Sequence, residues 1–334
     1  MQSERRRRLT PAIADVRRAV RAVFTPASAV EFVLVGLSGG ADSLALAAAT
    51  AFEAHRAGVR AGAVIVDHQL QAGSADVAAA AADQARTLGL EPVLVLTVTV
   101  GAASGPEAAA RDARYAAFDR ALTSTGATAV LLGHTLDDQA ETVLLGLARG
   151  SGPTSLRGMS PRSGPYLRPM LGIRRAQTRQ FCVDSALVPW EDPQNGDPAY
   201  ARVRVRHTVL PVLERELGPG ISAALVRTAD ALREDSDALD DLARTVVRAA
   251  WSNTDAGAAI AVPVLAAQPA AVRQRVIRFG VQATFGAALE RSHALAVARL
   301  VTDWHGQEAL DLPGVRVVRQ DGVLIFVGPG HTFE

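Results

Sequence analysis

A chain of 334 residues with a formal net charge of +1 is long enough for two or three hydrophobic cores and is no polycation overall. All 35 basic residues are arginine and Cys182 is the lone cysteine. That excludes a Walker Gly-Lys-Ser/Thr loop, an internal disulfide and any Cys-x-x-Cys zinc, iron–sulfur or persulfide pair. Arg5 to Arg8 resemble the start of a signal peptide, but no apolar core follows, and no run is long enough to span a bilayer. A reduced, cytoplasmic setting with no membrane contact is expected.

In chain order, Thr10-Pro11 can cap a first helix with Ile13, Val16, Val20 and Val23 on one face. Apolar strand-like runs at 31–37, 59–66, 93–98 and 128–133 then alternate with helical stretches near 43–57, 74–88, 106–123 and 137–149. This alternation predicts a Rossmann-like, doubly wound parallel α/β sheet, with ligands beyond the carboxyl ends of its strands. Residues 150–170 read as a loop, 171–186 as a helix and 189–200 as a further loop. A long charged helix is expected over 221–250. Two helices near 269–283 and 288–303 then precede a hairpin, 315–318 with 323–326, turned by Asp321-Gly322. The expected domains are a catalytic unit 1–217, a helical linker 218–255 and a small α/β unit 256–334.

Three motifs fall at strand ends. Ser38-Gly39-Gly40-Ala41-Asp42-Ser43 follows a strand and opens a helix, so its backbone amides can cradle a phosphate, with Asp42 near a magnesium ion. The alternative is a plain Gly-Gly turn capped by Asp42. Val66-Asp67-His68 and Gly133-His134 are the other two. Beyond them, Glu107 and Arg111 lie four apart on a helix, and Arg111 shares a face with Arg114. These arginines either bind phosphate or form a solvated salt bridge. Asp137 and Glu141 are also four apart; they either share a cation, magnesium or an ammonium ligand, or merely suit the helix dipole. His134 reads equally as a core histidine or a ligand. Residues 151–217 carry 10 arginines against 6 acids, and Arg202, Arg204 and Arg206 cluster there, so this segment is the candidate polyanion contact or a charged outer face.

The ordered set resembles the bacterial tRNA(Ile)-lysidine synthetase family of the PP-loop ATP pyrophosphatases. It comprises Ser38 to Ser43, Asp67-His68, Glu107/Arg111/Arg114/Tyr115, Gly133-His134, Asp137/Asp138/Glu141/Thr142, Arg149-Gly150-Ser151-Gly152, Arg168-Pro169, Asp192-Pro193 with Asn195, and Tyr200/Arg202/Arg206/His207. Pro269 to Val327 resembles the family's substrate-binding domain more loosely. Val203 stands where the family often has asparagine after Arg202, and the further C-terminal domain of longer members is expected to be absent. The resemblance implies an ATP- and magnesium-dependent ligase that joins free L-lysine to a wobble cytidine of tRNA(Ile) with a CAU anticodon; homodimerisation stays open. It implies catalytic roles for Asp42, Arg111, Asp137 and Glu141, and ATP contacts at Ser38 to Ser43, Asp67, His68, Arg114, Gly133 and His134. Lysine would sit at Asp137 and Glu141, and magnesium at Asp42 and Asp138. Expected tRNA contacts are Arg168, Arg202, Arg206, Arg275 and Arg278. Competing readings are a tRNA thiolase, an amidating NAD- or GMP-synthetase-like enzyme, and a nucleotide-binding protein without catalysis.

Overall fold

The computed structural model describes residues 9–25, 30–69, 71, 73–99, 101, 106–150, 153–254 and 257–329. The chain divides into two compact units, 1–230 and 231–334. The first unit begins with α1 (Pro11–Arg21), whose N-cap Thr10 accepts a hydrogen bond from the Ile13 amide and whose Ile13, Val16 and Val20 are buried. Then come β1 (Phe32–Gly36), α2 (Ala41–Ala57), β2 (Arg60–Asp67), α3 (Ser74–Thr87), β3 (Val93–Thr97), α4 (Pro106–Thr125), β4 (Ala129–Leu131) and α5 (Leu136–Ala148). A short α6 (Pro153–Leu156) and a two-residue hairpin, β5 (Arg162–Ser163) with β6 (Tyr166–Leu167), lead to α7 (Arg175–Asp184). Further on lie α8 (Ala201–Arg204), a π-helical turn over Val205–Val209, and α9 (Leu210–Glu216).

The sheet order is β3-β2-β1-β4-β6-β5, parallel except for the terminal hairpin. Central β1 is apolar along its length because both of its faces are covered. One face packs on α1, α2, α3 and α7 through residues such as Val16, Leu44, Leu46, Ala81 and Phe181. The other packs Leu34, Val64 and Val130 on Phe118 and Ala121 of α4. The strand order reverses between β1 and β4, the position at which such sheets open a ligand crevice.

The long helix α10 (Ile221–Ala250) matches its expected span, and the division between the units falls inside it. Glu214 accepts bonds from the amides of Gly220, Ile221 and Ser222, which stand at or just before its first turn. The second unit continues with β7 (Ser252–Thr254), β8 (Gly257–Ala261), α11 (Val262–Ala266), α12 (Ala270–Phe285), α13 (Arg291–Thr302), β9 (Leu310–Leu312), β10 (Val315–Gln320) and β11 (Val323–Val327). Its antiparallel sheet, β7-β8-β11-β10-β9, shares a core with α12 and α13 that includes Ile260, Ile277, Leu300, Val317 and Phe326. The hairpin turns at Asp321-Gly322 as the sequence requires, both at positive φ. Strands β7, β8 and β9 have no counterpart in the sequence reading. Among the described residues no helix is long and apolar enough to cross a membrane.

Candidate active site

The loop after β1 holds its shape through its own hydroxyls. Ser43 Oγ donates to the Gly40 carbonyl at 3.0 Å and accepts from the Ser38 amide at 3.2 Å, with Ser38 Oγ 3.1 Å away. Gly39 takes φ +85°, a conformation that a side chain would strain. Its carbonyl accepts from the Trp190 amide at 2.9 Å, so segment 189–193 braces the loop from outside. Gly40 gives α2 no side-chain cap. The first-turn amides of α2, which have no intrahelical acceptor, are therefore left to bind an anion at the positive end of the helix.

Gly133 follows β4 against this loop. A Cβ there would stand 3.1 Å from Ser43 N and Cα, so glycine lets the segment after β4 approach the first turn of α2 this closely. His68 and His134 follow the strands on either side of β1. Burial lowers both imidazole pKa values; for His68 the nearby Arg114 adds to this, and His134 falls to about 4 although Asp138 opposes the shift. Both rings are neutral at physiological pH, and neither Nδ1 has a hydrogen-bond partner among the described residues. Asp67 is buried and accepts from the Gln69 amide at 3.0 Å, closing the turn after β2.

Beside the loop lies an acid–arginine cluster. Thr135 caps α5, and Asp138 completes a capping box. Asp138 Oδ2 accepts from the Thr135 amide and hydroxyl, both at 2.8 Å; its Oδ1 takes Arg175 Nη2 at 2.7 Å and Arg206 Nη2 at 3.3 Å. Glu141 is fully buried. Arg206 grips it at 2.7 and 3.0 Å, Arg175 reaches it at 3.3 Å, and Arg202 Nε lies 3.9 Å away. Asp42 Oδ1 accepts from the Thr178 hydroxyl, and Oδ2 lies 3.5 Å from Arg175 Nε. Burial raises the Asp42 pKa against these two partners. Asp138 goes the other way: burial would raise it, but Arg175 and the Thr135 bonds win, and its carboxyl stays below the usual range.

Residues 13–213 match the PP-loop domain family, and residues 261–325 match the TilS substrate binding domain family. The tRNA(Ile)-lysidine synthase of Leifsonia xyli is 66% identical over 88% of this chain and 89% of the relative. The tRNA(Ile)-lysidine synthase of Thermobifida fusca is 52% identical over 94% of this chain and 97% of the relative. The chain belongs to the tRNA(Ile)-lysidine synthase family. In fold it is similar to the U34-tRNA thiolase NcsA from Methanococcus maripaludis, with a TM-score of 0.56 over 67% of this chain and 80% of that one, at 20% identity.

In this member of the synthase family, several residues expected to meet ligands pair with the chain's own groups. Asp137 and Glu141 do not converge on an open cation site. The cation that Glu141 requires is supplied by the chain's own arginines, and Asp137 accepts from the Arg175 amide at 2.7 Å. Asp138 has two donors on each oxygen, Thr135 on one and Arg175 and Arg206 on the other. Arg202 and Arg206 do not form a free phosphate-binding face. They are four apart on a continuous helical path and turn toward α5, because a carboxylate as deeply buried as Glu141 must be neutralised. Arg168 is likewise buried, donating to the Ser160 carbonyl at 3.0 Å and the Tyr115 hydroxyl at 3.1 Å.

Arg111 is exposed on α4, stacked over the Tyr115 ring at 4.9 Å, and Arg114 is exposed nearby. The Glu107 side chain, and with it the expected Glu107–Arg111 pair, lies outside the described residues. In the second unit, of the two expected tRNA contacts, Arg275 is held by Asp240 at 2.7 Å, whereas Arg278 is exposed. Sequence reasoning missed Arg175, Thr178 and Trp190. One signal was present: Arg174-Arg175 opens a helix, where cations oppose the dipole unless acids lie close.

Proposed function

We infer that this chain uses ATP to form lysidine at the wobble cytidine of tRNA(Ile) with a CAU anticodon. The observation that carries the reading is the coincidence, in one chain, of a phosphate loop of the PP-loop type with the second matched domain, both aligned along nearly the full length of the lysidine synthase relatives. The cytidine C2 oxygen attacks the α-phosphate of ATP and pyrophosphate leaves. The ε-amine of free L-lysine then attacks C2 and expels AMP, a far better leaving group than oxide.

The α2 amides, with Ser38 and Ser43, bind the phosphates, and electrostatic preorganisation there stabilises charge that develops in the transition state. Asp67, His68, Gly133 and His134 line the same crevice. Arg111 and Arg114 approach from α4 as fixed cations. Asp42, with one partner on each oxygen and a more exposed side chain than Asp138, would hold magnesium as a single protein carboxylate, with most of the shell left to phosphate oxygens, which suits that ion; when bound it would offset phosphate charge. Among the described residues no group of three acidic, histidine or cysteine side chains is gathered to hold a metal unaided. For the lysine ammonium Asp137 is the candidate contact, being the more accessible of the two acids, while Glu141, fully buried and paired with Arg206 and Arg175, supports it from within.

We keep 1–217 as the catalytic domain, 218–255 as the linker and 256–334 as the tRNA-binding domain, with exposed Arg278 as its candidate phosphate contact. The proposed setting is the cytoplasm, where tRNA and free lysine are found together. The test is incubation with ATP, tRNA(Ile) and labelled lysine: label must enter the wobble nucleoside, with AMP and pyrophosphate formed.

A further inference from the structure

No sequence motif singles out Arg175, yet its guanidinium touches carboxylates from two helices. Nη2 and Nη1 lie 2.7 and 3.3 Å from Asp138 and Glu141 of α5, and Nε lies 3.5 Å from Asp42 of α2. One turn later, Thr178 donates to the other Asp42 oxygen, so α7 holds the phosphate-loop carboxylate at both of its oxygens. The Arg175 side chain is 16% exposed. Arg206 shares the two α5 acids and Arg202 approaches Glu141, but among the described residues neither reaches Asp42. His134, beside Asp138, is neutral.

Three carboxylates from two helices repel one another unless a cation fixes their spacing. A planar guanidinium with five donors can bridge all three; an ammonium on a flexible stem meets one or two. We propose that Arg175 is a positioning residue for adenylation, tying Asp42 of the phosphate loop to the Asp138–Glu141 pair so that the helices α2 and α5 keep one reactive geometry. Thr178 is its partner in aiming Asp42. The proposal rests on the lysidine-forming reading above.

The test uses the full chain with ATP, tRNA(Ile) and lysine, measuring pyrophosphate release, ATP affinity and thermal melting. Arg175→Ala should cut the rate of pyrophosphate release by about 100-fold, the scale of a lost preorganised contact, while ATP affinity changes far less. Added methylguanidinium should restore part of that rate, and Arg175→Lys should stay impaired. Thr178→Val, nearly isosteric, should show a smaller loss of rate with wild-type melting. Should Arg175→Ala not fold, Arg175→Lys and Thr178→Val decide: impaired release with normal melting supports the role, and wild-type rates overturn it. Wild-type rates in Arg175→Ala, or a loss that methylguanidinium does not relieve while Thr178→Val stays fully active, also overturn it. A wild-type chain that makes no lysidine in the same assay would refute the functional reading instead.

Discussion

Gly133 and Ser43 meet across the mouth of the sheet: a Cβ on Gly133 would stand 3.1 Å from the Ser43 backbone nitrogen. The end of β4 thus presses on the turn that shapes the phosphate loop, and a backbone atom cannot step aside as a flexible side chain can. Gly133→Ala should therefore displace the first turn of α2, costing about 1–3 kcal/mol of stability as overpacking does and weakening ATP binding more than its distance from the phosphates suggests. Chemical denaturation and ATP titration of the variant measure the two effects. Unchanged ATP affinity would show that the loop tolerates the shift.

The loop's polar groups make a second prediction. Asp42→Ala and Ser43→Ala should each lower ATP cleavage by on the order of 100-fold. Ser43→Ala also removes the bonds to Gly40 and Ser38, so its ATP affinity should fall further than that of Asp42→Ala. Rates of AMP release and ATP affinities, compared side by side, check the order.

The sequence disclosed this loop because strand, Gly-Gly turn and helix are contiguous. The four principal parallel strands were also legible, as continuous apolar runs between helical stretches. The hairpin β5–β6 was not, since two-residue strands have no alternation to read. Ser252–Thr254 lacks apolar residues, and the alanine-rich Gly257–Ala261 carries no strand signature. At the site, the need for a cation beside Glu141 was readable, but its identity was not. Arg175 and Arg206 lie 34 and 65 positions from Glu141, and only the fold brings them together. The facing of Arg202 and Arg206 depended on which side of the helix meets α5, which an alternation of arginine and valine leaves undetermined.

That buried pairing yields a third prediction. Arg206→Ala leaves Glu141 with one close cation and should destabilise the protein by about 3–5 kcal/mol, whereas Arg206→Ala combined with Glu141→Ala should cost less than the two losses added. A double-mutant cycle in urea provides the measurement. Additive losses would mean that the pair is not coupled.

Glu214 gives a pH prediction. Bonds from the Ser222, Gly220 and Ile221 amides and the Ser222 hydroxyl hold its carboxyl down to about 2, with burial opposing. Its folded value lies below the ordinary carboxylate value, so its contribution to stability is full above roughly pH 4.3 and fades as pH falls toward 2. Glu214→Ala should lower stability at pH 7 by about 1 kcal/mol, as a lost helix cap does, and the gap from wild type should close in acid. Urea midpoints of both proteins at pH 7 and near pH 2.5 decide it; an equal gap at both would remove the charge from the explanation.

Nucleoside analysis reads the transfer of lysine to tRNA at the modified base itself. Transcribed tRNA(Ile) with a CAU anticodon is incubated with the enzyme, ATP and labelled lysine, then digested and resolved. Label should appear in a modified cytidine from the wobble position, with AMP and pyrophosphate formed in equal amounts to it and no product when lysine is omitted. ATP cleavage that proceeds with ammonia in place of lysine, or an unmodified wobble cytidine after full incubation, would contradict it.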